Sequence, residues 1–193
     1  MNLCVFLASG RGVEPIYAEA ARAAGTAIAT RGWRLIYGGA HRGLMGELAD
    51  AALGAGGEVI GVLPRDLAAR EIAHLGLTSL ELVDSMAQRK DRMFTLADGF
   101  LTLPGGYGTL DETFEALTAA QLGHHAKPIA VWDVAGYFAP IVAWLDGAVA
   151  AGLVAPAHRA LLSVHRELST ALDAVAVSPT QADTARLVTS RSR

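Results

Sequence analysis

The sequence predicts an α/β fold: a mainly parallel sheet of about six to seven strands, with helices on both faces, in a single domain. Three observations carry that expectation. Short apolar runs of about four to six residues alternate with helical stretches of about ten to seventeen, the pattern of repeated strand–helix–strand units. The runs are apolar enough to be buried on both sides, as strands of a parallel sheet are. Glycine-rich loops follow three of the runs, at 9–12, 38–43 and 104–108, and the carboxyl ends of strands are where such sheets bind ligands.

Taken in order, residues 3–8 read as a buried strand. No basic leader precedes it, and the apolar run is too short for a signal-peptide core. Pro15 stands early in the next helix, where its missing N–H costs little. That helix extends to about Thr30, with Ile16, Ala20, Ala23 and Ala27 at helical spacing, and Gly32 ends it. Arg34–Tyr37 is the second strand. A glycine loop at 38–43 leads into a helix over 44–53, which the glycines of 54–57 stop. The third strand, 58–63, closes at Pro64. Residues 65–78 are less regular, with a short helix expected around Glu71. Ser79–Val83 is the fourth strand. Ser85 and Gln88 form a capping box for a helix that ends near Asp98. The fifth strand, 99–103, runs into Pro104 and the third glycine loop. The helix behind it reaches about Leu122. Ile129–Trp132 is the sixth strand, introduced by Pro128. A helix over 138–151 carries Pro140 in its first turn. A seventh strand at 161–164 and a short helix at 169–175 follow. From Ser178 the chain is polar without a period. The expected domain is therefore 1–177, with 178–193 a flexible tail.

Composition excludes several classes of function. Hydrophobic residues make up 52% of the 193 but aromatics only 6%, so the core is built from Ala, Leu and Val. The net charge is −3 and no run of five basic residues occurs, which leaves no electrostatic case for nucleic acid. No apolar stretch approaches the ~20 residues of a membrane span, and a cytoplasmic protein is expected. The six histidines lack the spacing of a zinc helix or finger. Cys4, the single cysteine, cannot form an internal disulfide and reads as a small core residue. Neither a metal nor an organic cofactor is expected.

The chemistry concentrates in two stretches. Leu101-Thr102-Leu103-Pro104-Gly105-Gly106-Tyr107-Gly108-Thr109-Leu110-Asp111-Glu112 reads as strand, glycine loop and helix start. Glycines let backbone N–H groups approach a ligand, and the helix N-terminus behind them favours an anion. Phosphate fits. A plainer reading makes Thr109 and Glu112 a capping box on a tight turn. The second stretch is the helix from Ser85. Arg89 lies three residues after Met86 and four before Met93, so it projects with the apolar side. A cation there needs an anion or a ligand. Lys90 borders the same side, where a snorkelling stem explains it equally well. Ser9 follows a strand at a glycine turn, without the surroundings of a hydrolase triad.

These residues together resemble a known family. Pro104-Gly105-Gly106-Tyr107-Gly108-Thr109 with Glu112, Arg89-Lys90 after Met86, Tyr37-Gly38-Gly39 before Gly43-Leu44-Met45-Gly46, and Gln121-Leu122-Gly123 with Lys127-Pro128 match blocks of the Lonely Guy family. Its members are cytokinin riboside 5′-monophosphate phosphoribohydrolases, often labelled lysine decarboxylases. The resemblance covers roughly residues 3 to 165 and implies a Rossmann-like homodimer. It implies cleavage of the N-glycosidic bond of an adenine-type nucleoside 5′-monophosphate, with free base and ribose 5-phosphate as products. It makes Arg89 and Glu112 the catalytic pair. Glu71, Lys90, Gly105, Gly106, Tyr107, Gly108, Thr109, Leu110, Asp111 and Thr118 would contact the nucleotide, with Ser9 and Gly39 beside them. The chain departs from the family's usual pattern at Ala87-Gln88, at Ala8-Ser9-Gly10 and at Asp111, and none of these removes a catalytic residue. Two other classes share parts of the pattern. A nucleotide or molybdenum-cofactor carrier would keep the phosphate loop without turnover. A pyridoxal-phosphate decarboxylase would need a Schiff-base lysine, and the chain holds only Lys90 and Lys127.

Overall fold

The computed structural model describes residues 1–10, 12–69 and 73–177. Among these residues, seven strands form one sheet in the order β4-β3-β2-β1-β5-β6-β7. They are β1 (Asn2–Phe6), β2 (Arg34–Tyr37), β3 (Val59–Pro64), β4 (Ser79–Val83), β5 (Gly99–Thr102), β6 (Ile129–Trp132) and β7 (Leu162–His165). Every pairing between them is parallel. Strand order reverses between β1 and β5, where Leu3 faces Gly99 and Phe6 faces Thr102. That reversal opens a crevice at the strands' carboxyl ends.

Alternation along β1 divides the core. Leu3, Val5 and Leu7 face one side, under α1 (Pro15–Thr30), α2 (Gly43–Gly54) and α8 (Leu168–Ala176). Cys4 and Phe6 face the other, under α4 (Met86–Leu96), α5 (Tyr107–Gln121) and α6 (Ala139–Ala150). The strand is buried on both faces, so its sequence shows no polar alternation. Phe6, Phe94 and Phe100 form the aromatic centre of the second layer, Phe6 and Phe100 stacked at 5.7 Å.

Several boundaries differ from the sequence reading. The first strand pairs only as far as Phe6; Leu7 remains fully buried beyond it. Helix α1 buries Ala20, Ala21, Ala24, Gly25 and Ile28, a face rotated from the expected Ile16, Ala20, Ala23 and Ala27. Alanine on every side gives that helix little amphipathic contrast. Its face is set instead by Gly25, which lies so close to Leu48 and Ala52 of α2 that a Cβ would strike their backbone. A short helix, α3, occupies Arg65–Ala68 rather than the surroundings of Glu71, which lies outside the described residues, as does the stretch 178–193. A 3₁₀ turn at Val134–Gly136 and a short helix α7 at Pro156–Arg159 were not foreshadowed. No helix among the described residues is long and apolar enough to cross a membrane.

Candidate active site

The crevice between β1 and β5 widens into a cleft of about 570 Å³. Its wall includes Ser9 and Gly10 after β1, Gly38 and Ala40 after β2, and Gly106, Tyr107, Gly108 and Thr109 after β5. The loops that meet there hold one another. The Ala8 N–H donates to the Pro104 carbonyl at 3.2 Å. Gly43, with φ +57°, fits against the backbone of Ser9 and Gly10, where a Cβ would collide.

Helix α5 starts with Gly106 as its N-cap, and its first intrahelical bond runs from the Leu110 N–H to the Gly106 carbonyl. The N–H groups of Tyr107, Gly108 and Thr109 therefore have no partner within the helix, and the positive end of its dipole opens on the cleft. This start also removes the capping-box reading of Thr109 and Glu112. Thr109 is already inside the first turn and buried, and Glu112 lies further along the helix and points into the cleft wall. The other expected capping box is present in its first half, with the return bond shifted one residue ahead of the cap. The Gln88 N–H donates to Ser85 Oγ at 3.2 Å, while Gln88 Oε1 accepts from the Asp84 N–H at 2.8 Å.

Arg89 and Glu112 meet in this wall. Arg89 Nη1 lies 3.2 Å from Glu112 Oε1, and the residues are only 6% and 4% exposed. Arg89 Nε donates to the Val62 carbonyl of β3 at 3.0 Å, so one edge of the guanidinium is anchored to the sheet. Its Nη2 occupies the space that a side chain at residue 38 would take: a Cβ on Gly38 would overlap it. Burial lifts the Glu112 carboxyl from the ordinary 4.5 to about 7. The nearby Arg89 cation pulls the other way, and Asp111 adds a smaller upward push. Desolvation wins because the carboxylate has lost nearly all its water and receives one long hydrogen bond in return. The result is a carboxyl poised to exchange a proton near neutrality.

The expected site residues separate into three groups. Arg89, Glu112, Ser9, Gly106, Tyr107, Gly108 and Thr109 converge on the cleft. Gly105 sits just behind the wall, too close to Thr109 and Ala8 for any side chain. Gly39, with φ +75°, packs on Leu63 and Leu80, and Leu110 packs into the second core layer. Lys90, Asp111 and Thr118 lie outside the cleft wall of this single chain. Lys90 Nζ bridges Glu115 at 2.5 Å and Asp111 at 2.9 Å, contacts that hold its ammonium above the usual lysine range, Glu115 contributing most. The Thr118 hydroxyl donates to the Phe114 carbonyl of its own helix. Sequence reasoning met Gly38, Met45 and Met86 only as parts of motifs, and gave neither Gly38 nor the apolar wall of Met45, Leu63, Leu67 and Met86 a place in the site. The glycine pair after β2 was a usable signal for the first. The wall had none, because its members come from four separate elements.

A protein-family model described as possible lysine decarboxylase matches residues 45–175. The cytokinin riboside 5′-monophosphate phosphoribohydrolase of Rhodococcoides fascians is 44% identical over 167 residues, covering 86% of this chain and 83% of its own. A probable enzyme of the same description from Oryza sativa subsp. japonica is 43% identical over 160 residues, covering 83% of this chain and 70% of its own. Among solved structures, the molybdenum cofactor carrier protein from Chlamydomonas reinhardtii aligns with a TM-score of 0.69. It does so over 97% of this chain and 98% of its own, at 22% identity, a likeness of fold.

Proposed function

The chain belongs to the family of its phosphoribohydrolase relatives, and we propose that it is itself a hydrolase of cytokinin riboside 5′-monophosphates and of AMP. It would cleave their N-glycosidic bond to free base and ribose 5-phosphate. The observation that carries this reading is the buried Arg89–Glu112 pair beside a helix N-terminus in one cleft. The 5′-phosphate is received by the N–H groups at the start of α5. The ribose then lies over Glu112, and the base along Met45, Leu63, Leu67 and Met86. As the bond from base to C1′ breaks, positive charge grows on the ribose. The Glu112 carboxylate stabilises that charge and takes a proton from the attacking water as its oxygen bonds to C1′; the departing base keeps the electron pair of the broken bond and takes up that proton. Arg89, held by Val62 and Glu112 at once, keeps the carboxylate aimed while substrate enters.

The carrier reading rests on the shared fold alone. A carrier gains nothing from a buried carboxylate beside its anion. Decarboxylation of lysine through pyridoxal phosphate does not fit these residues. Lys90 is bound to two acids outside the cleft wall, and Lys127 Nζ donates to the Phe94 carbonyl at the end of α4. Neither lines the cleft.

The proposal includes a homodimer. Trp144 of α6 is 62% exposed and packs edge-on against Phe114 of α5 at 6.2 Å, an apolar face suited to a second copy of the chain. It also includes a cytoplasmic setting, which a lone buried thiol at Cys4 suits. The deciding experiment incubates the protein with isopentenyladenosine monophosphate and AMP side by side and reads free base and ribose 5-phosphate. Release from at least one is expected. Release from neither overturns the reading.

A further inference from the structure

Behind the glycine loop lies a second cavity of about 340 Å³, lined by Tyr17, Leu44, Pro104, Gly105, Gly106 and Tyr137 among others. The backbone that delivers Tyr137 is unusual. Ala135 has φ 54° and ψ 24°, and Gly136 follows at φ 75°. Ala135 is the only non-glycine residue with positive φ among those described. A side chain in that region is disfavoured and persists where its surroundings enforce it. Here they do. The Phe138 N–H donates to buried Asp133 Oδ1 at 2.7 Å, and the Tyr137 N–H donates to the Val134 carbonyl. The Tyr137 ring stands edge-on to Tyr17 at 5.6 Å and to Phe138 at 5.0 Å. Its hydroxyl donates to the Gly105 carbonyl at 2.7 Å.

We infer that Tyr137 is a positioning residue for phosphate binding, acting through the peptide plane between Gly105 and Gly106; this rests on the phosphoribohydrolase reading. A trans peptide holds its C=O and N–H on opposite sides. Tyr137 is absent from the wall of the main cleft, which Gly106 lines. By holding the Gly105 carbonyl on the rear side, the hydroxyl turns the Gly106 N–H toward the cleft. It also polarises that peptide, because a hydrogen-bonded carbonyl makes its own N–H a better donor. Gly105 needs such a clamp. A side chain there would strike Thr109 and Ala8, so the residue must be glycine, and glycine alone leaves the plane free to rotate. The left-handed Ala135 is the structural expense of aiming the phenol at that one oxygen.

Tyr137→Phe removes the hydroxyl and keeps the ring contacts with Tyr17 and Phe138. With AMP as substrate, KM is expected to rise about three- to tenfold, the range of one neutral hydrogen bond, with kcat within about twofold. Inhibition by inorganic phosphate should weaken by the same factor, while inhibition by free isopentenyladenine and the thermal midpoint stay unchanged. Unchanged phosphate inhibition, or equal weakening toward phosphate and free base, overturns the inference. If the wild-type protein releases no base, the functional reading fails separately. Calorimetric titration of wild type and variant with inorganic phosphate then decides the role of Tyr137: equal affinity overturns it, and weaker binding by the variant sustains it.

Discussion

Glu112→Gln isolates the charge at the centre of the site. Glutamine keeps the shape and leaves an oxygen to accept from Arg89 Nη1, now 3.2 Å from Glu112 Oε1. It removes the ability to take a proton or to carry negative charge. General acid–base help of this kind contributes ~10²–10⁴-fold, so turnover should fall by about that factor, a barrier rise of roughly 3–5 kcal/mol. Stability should move the opposite way at high pH. The folded carboxyl titrates near 7 against an ordinary 4.5, so between those values the folded state binds the proton that the unfolded chain has lost. This stabilisation is complete below pH 4.5 and disappears as pH rises through 7. The difference corresponds to about 3 kcal/mol. The glutamine variant has no such group and is spared that decline. Relative to wild type it should gain about 3 kcal/mol between pH 4.5 and 8, or roughly 6–12 °C in thermal midpoint for a chain of this size. The assay pairs base release from AMP with thermal melts at both pH values. Near-normal base release by the variant would refute the catalytic assignment, and parallel melting curves across pH would refute the buried-carboxyl argument.

Arg89→Ala should lower turnover by ~10²–10⁴-fold and raise the pH at which kcat/KM increases, because the cation that pulls the Glu112 carboxyl down is lost; an unmoved pH profile would count against the pairing. Arg89→Lys should not restore activity, since one ammonium cannot reach both the Val62 carbonyl and Glu112; kcat/KM near wild type would contradict this. Gly38→Ala should displace the guanidinium that now fills the place of its Cβ, reducing kcat/KM about 10²-fold; a structure of that variant with Arg89 unmoved would sink the argument. Light scattering at micromolar concentration should give the mass of a dimer, and Trp144→Asp should shift it toward that of a monomer; a wild-type monomer would remove the α5–α6 face from the interface.

The layered architecture and the glycine loop were legible in the chain alone. Both depend on short-range rules: apolar runs bounded by glycine and proline specify strands, and Gly105-Gly106-Tyr107-Gly108 before a helical period specifies a strand–loop–helix turn. The inward direction of Arg89 was legible for the same reason, since helical spacing from Met86 and Met93 places it on the apolar side. Its pairing with Glu112 came from the family resemblance and not from spacing. Arg89 and Glu112 stand on α4 and α5, which are separated by β5 and pack on the same face of the sheet. Their 3.2 Å approach depends on how both helices seat against β1, β3 and β5. Local pattern even suggested another role for Glu112, as a cap, until Gly106 took that position and carried the carboxyl into the second turn. The buried face of α1 was equally hidden, because alanines on all sides leave close contact through Gly25 to choose it. The carboxyl near 7, the space at Gly38 and the Tyr137 clamp on Gly105 belong to the tertiary structure alone. Each depends on desolvation or on a distance between groups far apart in the chain, and neither quantity exists until the sheet brings its loops together.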